Sequence, residues 1–433
     1  MELLEKIETK KAKIGIIGLG YVGLPLALKF AKAGFRVRGF DVDERKIKKL
    51  KSGKCDISYI SDEELDILNH GVELFTCWEK PPKKILVDCD CIIICVPTPT
   101  INNKPEVKNL EILIDTIHNN IVSYGKSDFL IVLESTVYPG FTNKNFWRFK
   151  DDKLNPTRSR GFEGYVAFSP ERVDPGNKLY TLENTPKIVG GVDPVSTAIA
   201  KALYLNIVDE VVEASGTHVA ELTKLLENMY RFVNISFMNE VKQFCDQMEI
   251  SLKEVIELAS TKPFGFSPFY PTASIGGECI GVDPYYFKYE SNKHGVDTPI
   301  IDACTGVNKK SLDILIDKIK WILDSADKPV KGANIAIIGL AYKKNVGDVR
   351  NSTGTAILEQ LLFRRANITY HDPYVDKHYS FESEDLKTIC KRSDAVIIAV
   401  DHDNVDYSII KEYSDIIIDT KNIFEDDEWV YQV

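Results

Sequence analysis

The chain has 433 residues, of which 44% are hydrophobic and 27% are charged, and its formal net charge is −10. At roughly 150 residues per domain, this length predicts two or three domains with cores large enough to fold without disulfides. The acidic balance argues against general affinity for nucleic acid or membrane surfaces. The N-terminal segment lacks the apolar stretch of a secretory signal, and no apolar run reaches about 18 residues, so we expect a soluble cytoplasmic protein.

The first predicted elements are a strand, a glycine turn and a helix in KIGIIGLGYVGLPLAL, where Gly18, Gly20 and Gly23 have GxGxxG spacing. In a dinucleotide-binding turn these glycines make the bend, admit the pyrophosphate and let the helix pack on the strand. A second strand ends at Asp41, about 20 residues further on, where an acid binds the adenosine ribose and disfavours a 2′-phosphate. The sequence therefore predicts NAD rather than NADP, and a glycine turn without a ligand is the alternative.

The next apolar run, DCDCIIICVPTP, predicts a strand with Cys89, Cys91 and Cys95 on one face. A disulfide framework is not expected among the nine scattered cysteines of a large cytosolic chain. A metal site is one interpretation of the cluster. We favour buried thiols that pack as small hydrophobic groups, because no His or CxxC partner is near, and we expect no metal.

Residues 217–250 contain no Gly or Pro, which predicts a helix of about 30 residues and about 45 Å. Glu221, Lys224, Asn228 and Arg231 form a polar stripe on one face of this helix. A solvated helix face is the alternative, but apolar residues nearly all round the helix argue for burial. A buried Lys and Asn one turn apart need partners, such as the oxyanion of a ligand.

A loop rich in Pro and aromatic residues follows and ends in Gly276, Gly277, Glu278 and Cys279, with Asp283 four residues later. Paired glycines permit the backbone to approach a ligand closely. A thiol in such a loop differs from a cysteine in a strand core. Cys279 is therefore a candidate nucleophile, and a small buried hydrophobic group is the alternative.

Near the end of the chain, NIAIIGLAYKKNVGDVR repeats the strand and turn, but Ala341 stands at the second glycine position. Continuous apolar strands that alternate with helices predict parallel sheets covered on both faces. We predict an α/β fold with two Rossmann-like doubly wound domains, at residues 1–213 and 328–433. A small helical middle domain with the long central helix, residues 214–327, joins them. The C-terminal domain is expected to bind a different nucleotide from the first, or none.

Together these segments resemble the UDP-glucose/GDP-mannose dehydrogenase family. The matching blocks run in order over nearly the whole chain: VPTPT, ESTVYPG, SPERVDPGN, PKIVGG, AELTKLLENMYRFVNISFMNE, FGFSPFYP, GGECIGVDPYY, GLAYKKNVGDVRNS and HDPY. The resemblance implies an NAD-dependent enzyme that oxidises the C6 alcohol of a nucleotide sugar to a carboxylate, with two NAD⁺ per sugar. It also implies a homodimer or larger homo-oligomer with the central helix at the interface, and a C-terminal domain that helps to bind the UDP-sugar.

The resemblance further implies roles for single residues. Cys279 matches the nucleophile that carries the thiohemiacetal and the thioester. Lys224 and Asn228 match the groups that hold the oxyanion, Asp283 matches the carboxylate that handles protons with a water, and Glu171 matches the glutamate of thioester hydrolysis. The residues assigned to the cofactor are Gly18, Gly20, Tyr21, Val22, Gly23, Asp41, Arg45, Thr98 and Thr136. The residues assigned to the substrate are Arg172, Arg231, Phe269, Tyr270, Gly276, Lys343 and Arg350.

Three departures from the family pattern stand out. Glu278 replaces the His of GGHC, and a carboxylate beside a thiol disfavours the thiolate unless it points away. The usual PGPG is residues 271–274, PTAS, and Gly281 replaces a Pro. The terminal DTRN block contains Lys421 in place of Arg, which keeps the charge but loses the planar fork for phosphate.

The SPERVDPGN block and the CIxVDPYY form are most similar to the UDP-N-acetyl-glucosamine 6-dehydrogenase branch, so we predict this substrate. UDP-N-acetyl-galactosamine, UDP-glucose and UDP-N-acetyl-mannosamine are the competing sugars. Two other classes of function stay open. A two-electron alcohol dehydrogenase would not need Cys279 and would stop at one NAD⁺, and a non-catalytic sensor would bind NAD and UDP-sugar without turnover.

Overall fold

The computed structural model describes residues 2–57, 60–76, 83–149, 164–174, 177, 179–273, 275–277, 280–425 and 429–432. Glu278 and Cys279 lie outside these ranges. The chain divides into two compact units, Met1–Glu227 with Tyr285–Val296 and Asn228–Pro284 with Asp297–Val433. The division into three domains made from the sequence stays a prediction.

The first unit is built on a sheet of eight strands. In chain order they are β1 (Lys13–Ile17), β2 (Arg36–Asp41), β3 (Val72–Thr76), β4 (Cys91–Ile94), β7 (Phe129–Leu133), β8 (Gly164–Phe168), β9 (Lys187–Gly191) and β10 (Val211–Glu213), with a separate hairpin of β5 (Thr100–Ile101) and β6 (Lys104–Pro105). Their order across the sheet is β10-β9-β8-β7-β4-β1-β2-β3, and only β8 and β9 pair antiparallel. All residues of β4, β7 and β8 are buried, as in a parallel sheet that is covered on both faces.

Short helices connect these strands. They are α1 (Glu2–Glu8), α2 (Gly23–Lys32), α3 (Glu44–Lys51), α4 (Asp62–Gly71), α5 (Lys83–Val87), α6 (Lys108–Tyr124), α7 (Phe141–Phe146), the 3₁₀ turn Trp147–Phe149 and α8 (Pro194–Tyr204). Local sequence sets several of their starts. Asp43 accepts hydrogen bonds from the first turn of α3, and Ser61 with Glu64 forms a capping box on α4.

The longest helix, α9 (Thr217–Gln247), has 31 residues and confirms the predicted central helix. It passes from the first unit into the second at Asn228. Among the described helices none is long and apolar enough to cross a membrane.

The second unit contains a parallel sheet of five strands in the order β12-β11-β15-β16-β17. The strands are β11 (Asn334–Ile338), β12 (Asn367–His371), β15 (Ala395–Ile398), β16 (Ile417–Asp419) and β17 (Val430–Gln432), with a hairpin of β13 (Lys377–His378) and β14 (Phe381–Glu382). The helices that follow α9 are α10 (Leu252–Ser260), α11 (Asp283–Lys293), α12 (Pro299–Ser325), α13 (Thr353–Phe363), α14 (Leu386–Arg392) and α15 (Tyr407–Tyr413). Two parallel sheets separated by a helical middle confirm the predicted α/β fold class.

The two sheets share one local arrangement after their first strands. The N–H of Gly18, after β1, donates to the carbonyl of Phe40 at 2.8 Å, and the N–H of Gly339, after β11, donates to the carbonyl of His371 at 2.9 Å. In each case a glycine turn leaves one strand and contacts the end of the next strand. The structure thus repeats the internal similarity that the sequence indicates.

Candidate active site

The glycine turn after β1 has the shape that a dinucleotide requires. Gly18 has φ +93°, and a Cβ at Gly23 would lie 1.9 Å from the carbonyl oxygen of Gly18, so side chains are excluded at both positions. A Cβ at Gly20 would meet no atom within 4 Å, which leaves open space beside the backbone. Tyr21 and Val22 are half-buried, and Val22 is the N-cap of α2. These residues fit a pyrophosphate at the start of a helix.

Asp41 lies at the carboxyl end of β2 and is buried. Its Oδ2 accepts hydrogen bonds from the N–H of Leu19 at 2.9 Å and from Lys46 Nζ at 2.8 Å, and its Oδ1 accepts one from the N–H of Asp43. The side chain of Arg45 is 94% exposed and pairs with Asp43. The basic group beside Asp41 is therefore Lys46, which the sequence analysis missed. Arg45 and Lys46 are adjacent in the first turn of α3. Only the direction of the helix decides which of the two side chains contacts Asp41 at the end of β2.

The two threonines assigned to the cofactor lie together at the carboxyl ends of the neighbouring strands β4 and β7. Thr98 Oγ1 donates to the carbonyl of Thr136 at 2.8 Å. The hydroxyl of the fully buried Tyr286 donates to the carbonyl of Thr98 at 2.8 Å. Ligands of open α/β sheets bind at this edge, so the pair is placed where a cofactor would be expected.

The strand thiols are packing groups in this arrangement. Burial raises the pKa of Cys89 to about 11 and raises that of Cys91 well above its ordinary value. Cys95 is likewise held as a neutral thiol, because burial raises its pKa. These findings support the packing interpretation of the cluster.

Lys224 contacts the turn that carries Glu171. Its Nζ donates to the backbone carbonyl of Glu171 at 2.7 Å. The Glu171 carboxylate turns back on its own loop, and its Oε1 accepts the N–H groups of Arg172 and Val173 at 2.7 and 2.6 Å. Arg172 forms an ion pair with Glu227 at 2.8 Å. Two of the candidate catalytic residues are thus brought together within the first unit.

Glu221, the first member of the polar stripe, has a structural contact instead of a solvated position. It is fully buried, and its carboxylate accepts the N–H groups of Gly140 and Thr142 at 2.6 and 2.9 Å. Burial raises its pKa. It therefore holds the segment that follows Thr136. Solvent exposure varies along the stripe: Lys224 is half-buried, Asn228 is buried and Arg231 is exposed.

A second pair of candidate catalytic residues lies in the second unit. Asn228 Nδ2 donates to Oδ2 of Asp283 at 2.6 Å, and both side chains are buried. Asp283 is the first residue of α11. A buried amide and carboxylate are expensive to desolvate, and here each at least partly satisfies the other.

The glycine pair of the cysteine loop packs against the segment after β11. A Cβ at Gly276 would lie 2.4 Å from the carbonyl oxygen of Asn351. Gly277 has φ +85°, and a Cβ there would lie 3.1 Å from the ring of Tyr342. The close approach explains why both positions are glycine. Cys279 itself is outside the described residues, so its role stays a prediction.

Of the residues assigned to the sugar nucleotide, Arg172 belongs to the first unit and the others belong to the second. Arg350 Nε donates to Asp348 at 2.9 Å, and Lys343 lies in the same segment as Arg350 and Tyr342. Phe269 packs its ring edge-on against Tyr230 at 5.5 Å, whereas Tyr270 is exposed. The segment 342–351 thus brings Lys343 and Arg350 near the cysteine loop.

The backbone N–H groups of the glycine turn after β11 donate to an aspartate that follows the next strand of the sheet. Asp372 follows β12, and its Oδ2 accepts the N–H groups of Leu340 and Ala341 at 2.7 and 2.9 Å. His402 Nε2 lies 3.2 Å from the same oxygen, and both side chains are fully buried. His402 Nδ1 accepts the N–H of Asn345, so Nε2 carries the proton and donates to Asp372. The aspartate of the second sheet thus has a buried histidine as its further partner, where Asp41 of the first sheet has Lys46.

Three models of the UDP-glucose/GDP-mannose dehydrogenase family match the chain: the NAD binding domain at residues 12–208, the central domain at 218–310 and the UDP binding domain at 336–426. NAD is thus the cofactor of the first domain.

Whole-chain relatives are also found. The chain is 33% identical to Protein CapL of Staphylococcus aureus over 96% of this chain and 97% of that protein. It is 32% identical to UDP-N-acetyl-D-glucosamine 6-dehydrogenase of Salmonella typhi, with 90% of each chain covered. The solved UDP-D-ManNAc dehydrogenase of Pyrococcus horikoshii has 30% identity and a TM-score of 0.83, with 97% of this chain and 98% of that chain covered. The chain belongs to the UDP-glucose/GDP-mannose dehydrogenase family and is an NAD-dependent UDP-sugar dehydrogenase.

Proposed function

We propose that the enzyme oxidises the C6 alcohol of a UDP-N-acetyl-hexosamine to a carboxylate, with Cys279 as a covalent nucleophile. The observation that carries this proposal is the buried hydrogen bond between Asn228 and Asp283, four residues after Cys279. A protein with no chemical function at the positions of Asn228 and Asp283 could have apolar side chains at both. Polar groups kept at a buried position beside a glycine-rich thiol loop support a chemical role.

The proposed reaction has two oxidations and one hydrolysis. Bound NAD⁺ accepts a hydride in each oxidation. The C6 alcohol first loses a hydride and a proton and becomes an aldehyde. The Cys279 thiolate adds to the aldehyde carbon, and the resulting oxyanion takes a proton to give the thiohemiacetal. The thiohemiacetal loses the second hydride and a proton and becomes a thioester, and water then cleaves the carbon–sulfur bond to release the acid and the thiol. Covalent capture divides one hard step into easier ones and retains the reactive aldehyde.

The protein residues hold charge and move protons in this scheme. Lys224 and Asn228 stabilise the developing oxyanion by preorganised donors. Asp283 handles protons with a water, and Glu171 takes a proton from the water that attacks the thioester. The contact of Lys224 Nζ with the Glu171 carbonyl supports a shared task for these two residues.

For the sugar, we propose UDP-N-acetyl-glucosamine, on the form of the SPERVDPGN and CIGVDPYY blocks. The Salmonella typhi relative, named for this substrate, supports the proposal. UDP-N-acetyl-mannosamine is the second candidate, because the Pyrococcus horikoshii protein of similar structure is named for that sugar. Both sugars carry the acetamido group at C2 and differ in its orientation.

We further propose that the enzyme is a cytoplasmic homo-oligomer that associates through α9. Large apolar side chains are exposed at spacings of three, four and seven along this helix, which places them on one face. They are Val219, Leu222, Leu226, Tyr230, Phe237 and Phe244. A continuous apolar stripe of this length supports an interface rather than a solvated surface.

The experiment is to incubate the protein with NAD⁺ and single UDP- or GDP-sugars, and to count NADH formed per sugar consumed. Two NADH per UDP-N-acetyl-glucosamine, with the uronic acid as product, is the expected result. Two NADH per UDP-N-acetyl-mannosamine, with none of the other sugars oxidised, would instead assign that sugar as the substrate. One NADH per sugar, unchanged in Cys279→Ala, would replace it by a two-electron alcohol dehydrogenase. Binding without NADH would indicate a sensor and would draw attention to Glu278.

A further inference from the structure

A buried ion pair lies beneath the turn that carries Glu171. Lys187 is the first residue of β9, and Glu134 follows β7. Their side chains are 4% and 0% exposed, and Lys187 Nζ lies 3.0 Å from Glu134 Oε2. The Tyr204 hydroxyl donates to the other oxygen of Glu134. Neither the cofactor site nor the proposed mechanism uses these three groups.

The ammonium of Lys187 reaches toward the Glu171 turn. Its Nζ donates to the carbonyl of Pro170 at 3.4 Å and lies 3.9 Å from Glu171 Oε2. The other carboxylate oxygen, Oε1, is held by the two N–H groups of its own loop. The buried Ser169 ties the same turn to β9, because its hydroxyl donates to the carbonyl of Ile188 at 2.8 Å. The Glu171 carboxylate is thus fixed from two sides.

Burial and the neighbouring groups determine which members of this network are charged. Burial alone lowers the pKa of Lys187, but the carboxylates of Glu134 and Glu171 raise it above its ordinary value, so the ammonium persists. Burial and Glu134 raise the pKa of Tyr204, so it stays protonated and donates. The buried Cys95 thiol, whose pKa burial also raises, adds no charge. Burial raises the pKa of Glu134, and the charge of Lys187 and the Tyr204 hydroxyl act against that rise. The Lys187 ammonium thus lies beside two carboxyl groups.

A buried ion pair is weak evidence for stability, since well-packed apolar groups in its place are often as stable. Stability alone therefore does not explain why an ion pair lies beneath the turn that carries Glu171. Hydrogen-bonded networks of this kind hold a single arrangement of their members, and a displacement of about 1 Å near reacting atoms costs roughly 100-fold in rate. The location of Lys187, between a fixed anion and Glu171, matches that requirement.

We propose that Lys187 is a positioning residue for Glu171 in the release of the acid product, and that Glu134 and Tyr204 hold Lys187 in place. This inference rests on the proposed function. In the release step, the water oxygen bonds to the C6 carbon of the thioester and the carbon–sulfur bond breaks. Glu171 takes one proton from the water and returns it to the departing sulfur. Lys187 holds the Glu171 carboxylate in one orientation throughout this step.

The test separates the oxidations from the hydrolysis in single turnovers of Lys187→Met, a neutral side chain of similar length. Stopped-flow absorbance counts NADH in the first turnover, and intact-protein mass after acid quench detects the acyl adduct. We expect two NADH per site at near the normal rate, then steady turnover slowed roughly tenfold to 100-fold, with adduct accumulating on the protein. Lys187→Arg should restore steady turnover in part, because it keeps the cation.

Equal slowing of the first and later turnovers, without adduct, would overturn the inference, because a general structural defect slows all steps. Tyr204→Phe serves as a second, milder variant if Lys187→Met folds poorly. It removes one hydroxyl that holds Glu134, and a smaller adduct signal is expected. Absence of adduct in a folded Tyr204→Phe enzyme, together with a poorly folded Lys187→Met, would also count against the inference.

Two further variants separate this inference from the proposed function. Glu171→Gln should accumulate the same adduct. Adduct in Glu171→Gln but none in Lys187→Met would leave the proposed mechanism standing and remove Lys187 from it. Four-electron turnover in Cys279→Ala would remove the thioester itself, and the proposed function would fail first.

Discussion

Asp41 and Asp372 occupy equivalent positions in the two parallel sheets. Each lies at the carboxyl end of the second strand of its sheet and accepts a hydrogen bond from the N–H of a leucine after the turn glycine, at 2.9 Å from Leu19 and 2.7 Å from Leu340. Their further partner differs, since Asp41 pairs with the half-exposed Lys46 and Asp372 with a buried histidine. One aspartate is thus paired with a half-exposed cation and the other with a buried imidazole, and substitutions should separate their roles.

Asp41→Asn should weaken NAD⁺ binding while leaving the chemical steps nearly intact. Loss of one charge-assisted hydrogen bond to the ribose corresponds to about 1.5 kcal/mol, or roughly a tenfold higher KM for NAD⁺. Steady-state kinetics with NAD⁺ varied at saturating UDP-sugar measures it. Asp43→Asn is the matched control, because asparagine caps α3 as well as aspartate does. An equal rise of KM in both variants would contradict the assignment of Asp41.

Asp372→Asn should instead lower the free energy of unfolding. Burial alone would raise the pKa of Asp372, but the hydrogen bond from His402 and those from the backbone N–H groups lower it below the ordinary value of 3.8. A depressed folded-state pKa contributes stability that is present above the unfolded pKa and is lost as pH falls through the folded value. The variant should therefore lose roughly 1–3 kcal/mol at pH 7 and less below about pH 3.8. Urea unfolding at both pH values measures this, and a pH-independent loss would contradict it.

Asn228→Asp tests the buried pair in the second unit. It places a second carboxylate 2.6 Å from Oδ2 of Asp283, in a site where like charges are not screened. The oxyanion also loses a donor, so kcat should fall by about 100-fold with a smaller change in KM. Asn234→Asp is the matched control, because its amide donates only to the carbonyl of Tyr230 on the exposed side of the same helix. Equal losses of kcat in the two variants would show that charge on α9 alone is responsible.

The sequence predicted the features that arise from local pattern. The glycine turn after β1, the 31-residue α9 and the apolar strands all depend on residues close together in the chain, and the structure contains them. It did not predict partners that meet only after folding. Lys46 was missed because helix direction decides its contact, and Glu221 was placed in a polar stripe without its partners, the N–H groups of residues 140 and 142.

The buried network shows the same limit more strongly. Lys187 and Glu134 are 53 residues apart and come from β9 and the end of β7, which are not neighbours in the sheet, and Tyr204 adds a third element. Each residue by itself looks like an ordinary strand or helix end in the sequence. Glu134 and Lys187 fall in the family blocks ESTVYPG and PKIVGG, Tyr204 falls in neither, and the blocks say nothing about the contact among the three.

Phe237→Lys should disrupt self-association through α9. Phe237 is exposed in the middle of the apolar stripe, so a charge there would be buried without a partner in an oligomer and solvated in a monomer. The dissociation constant should rise by roughly 30-fold or more, as for a central aromatic anchor. Trp321→Lys is the matched control, because it replaces a similarly exposed aromatic side chain on a different helix, α12. Sedimentation velocity over a concentration series measures both variants, and a shift in Trp321→Lys alone would place the interface on α12 instead.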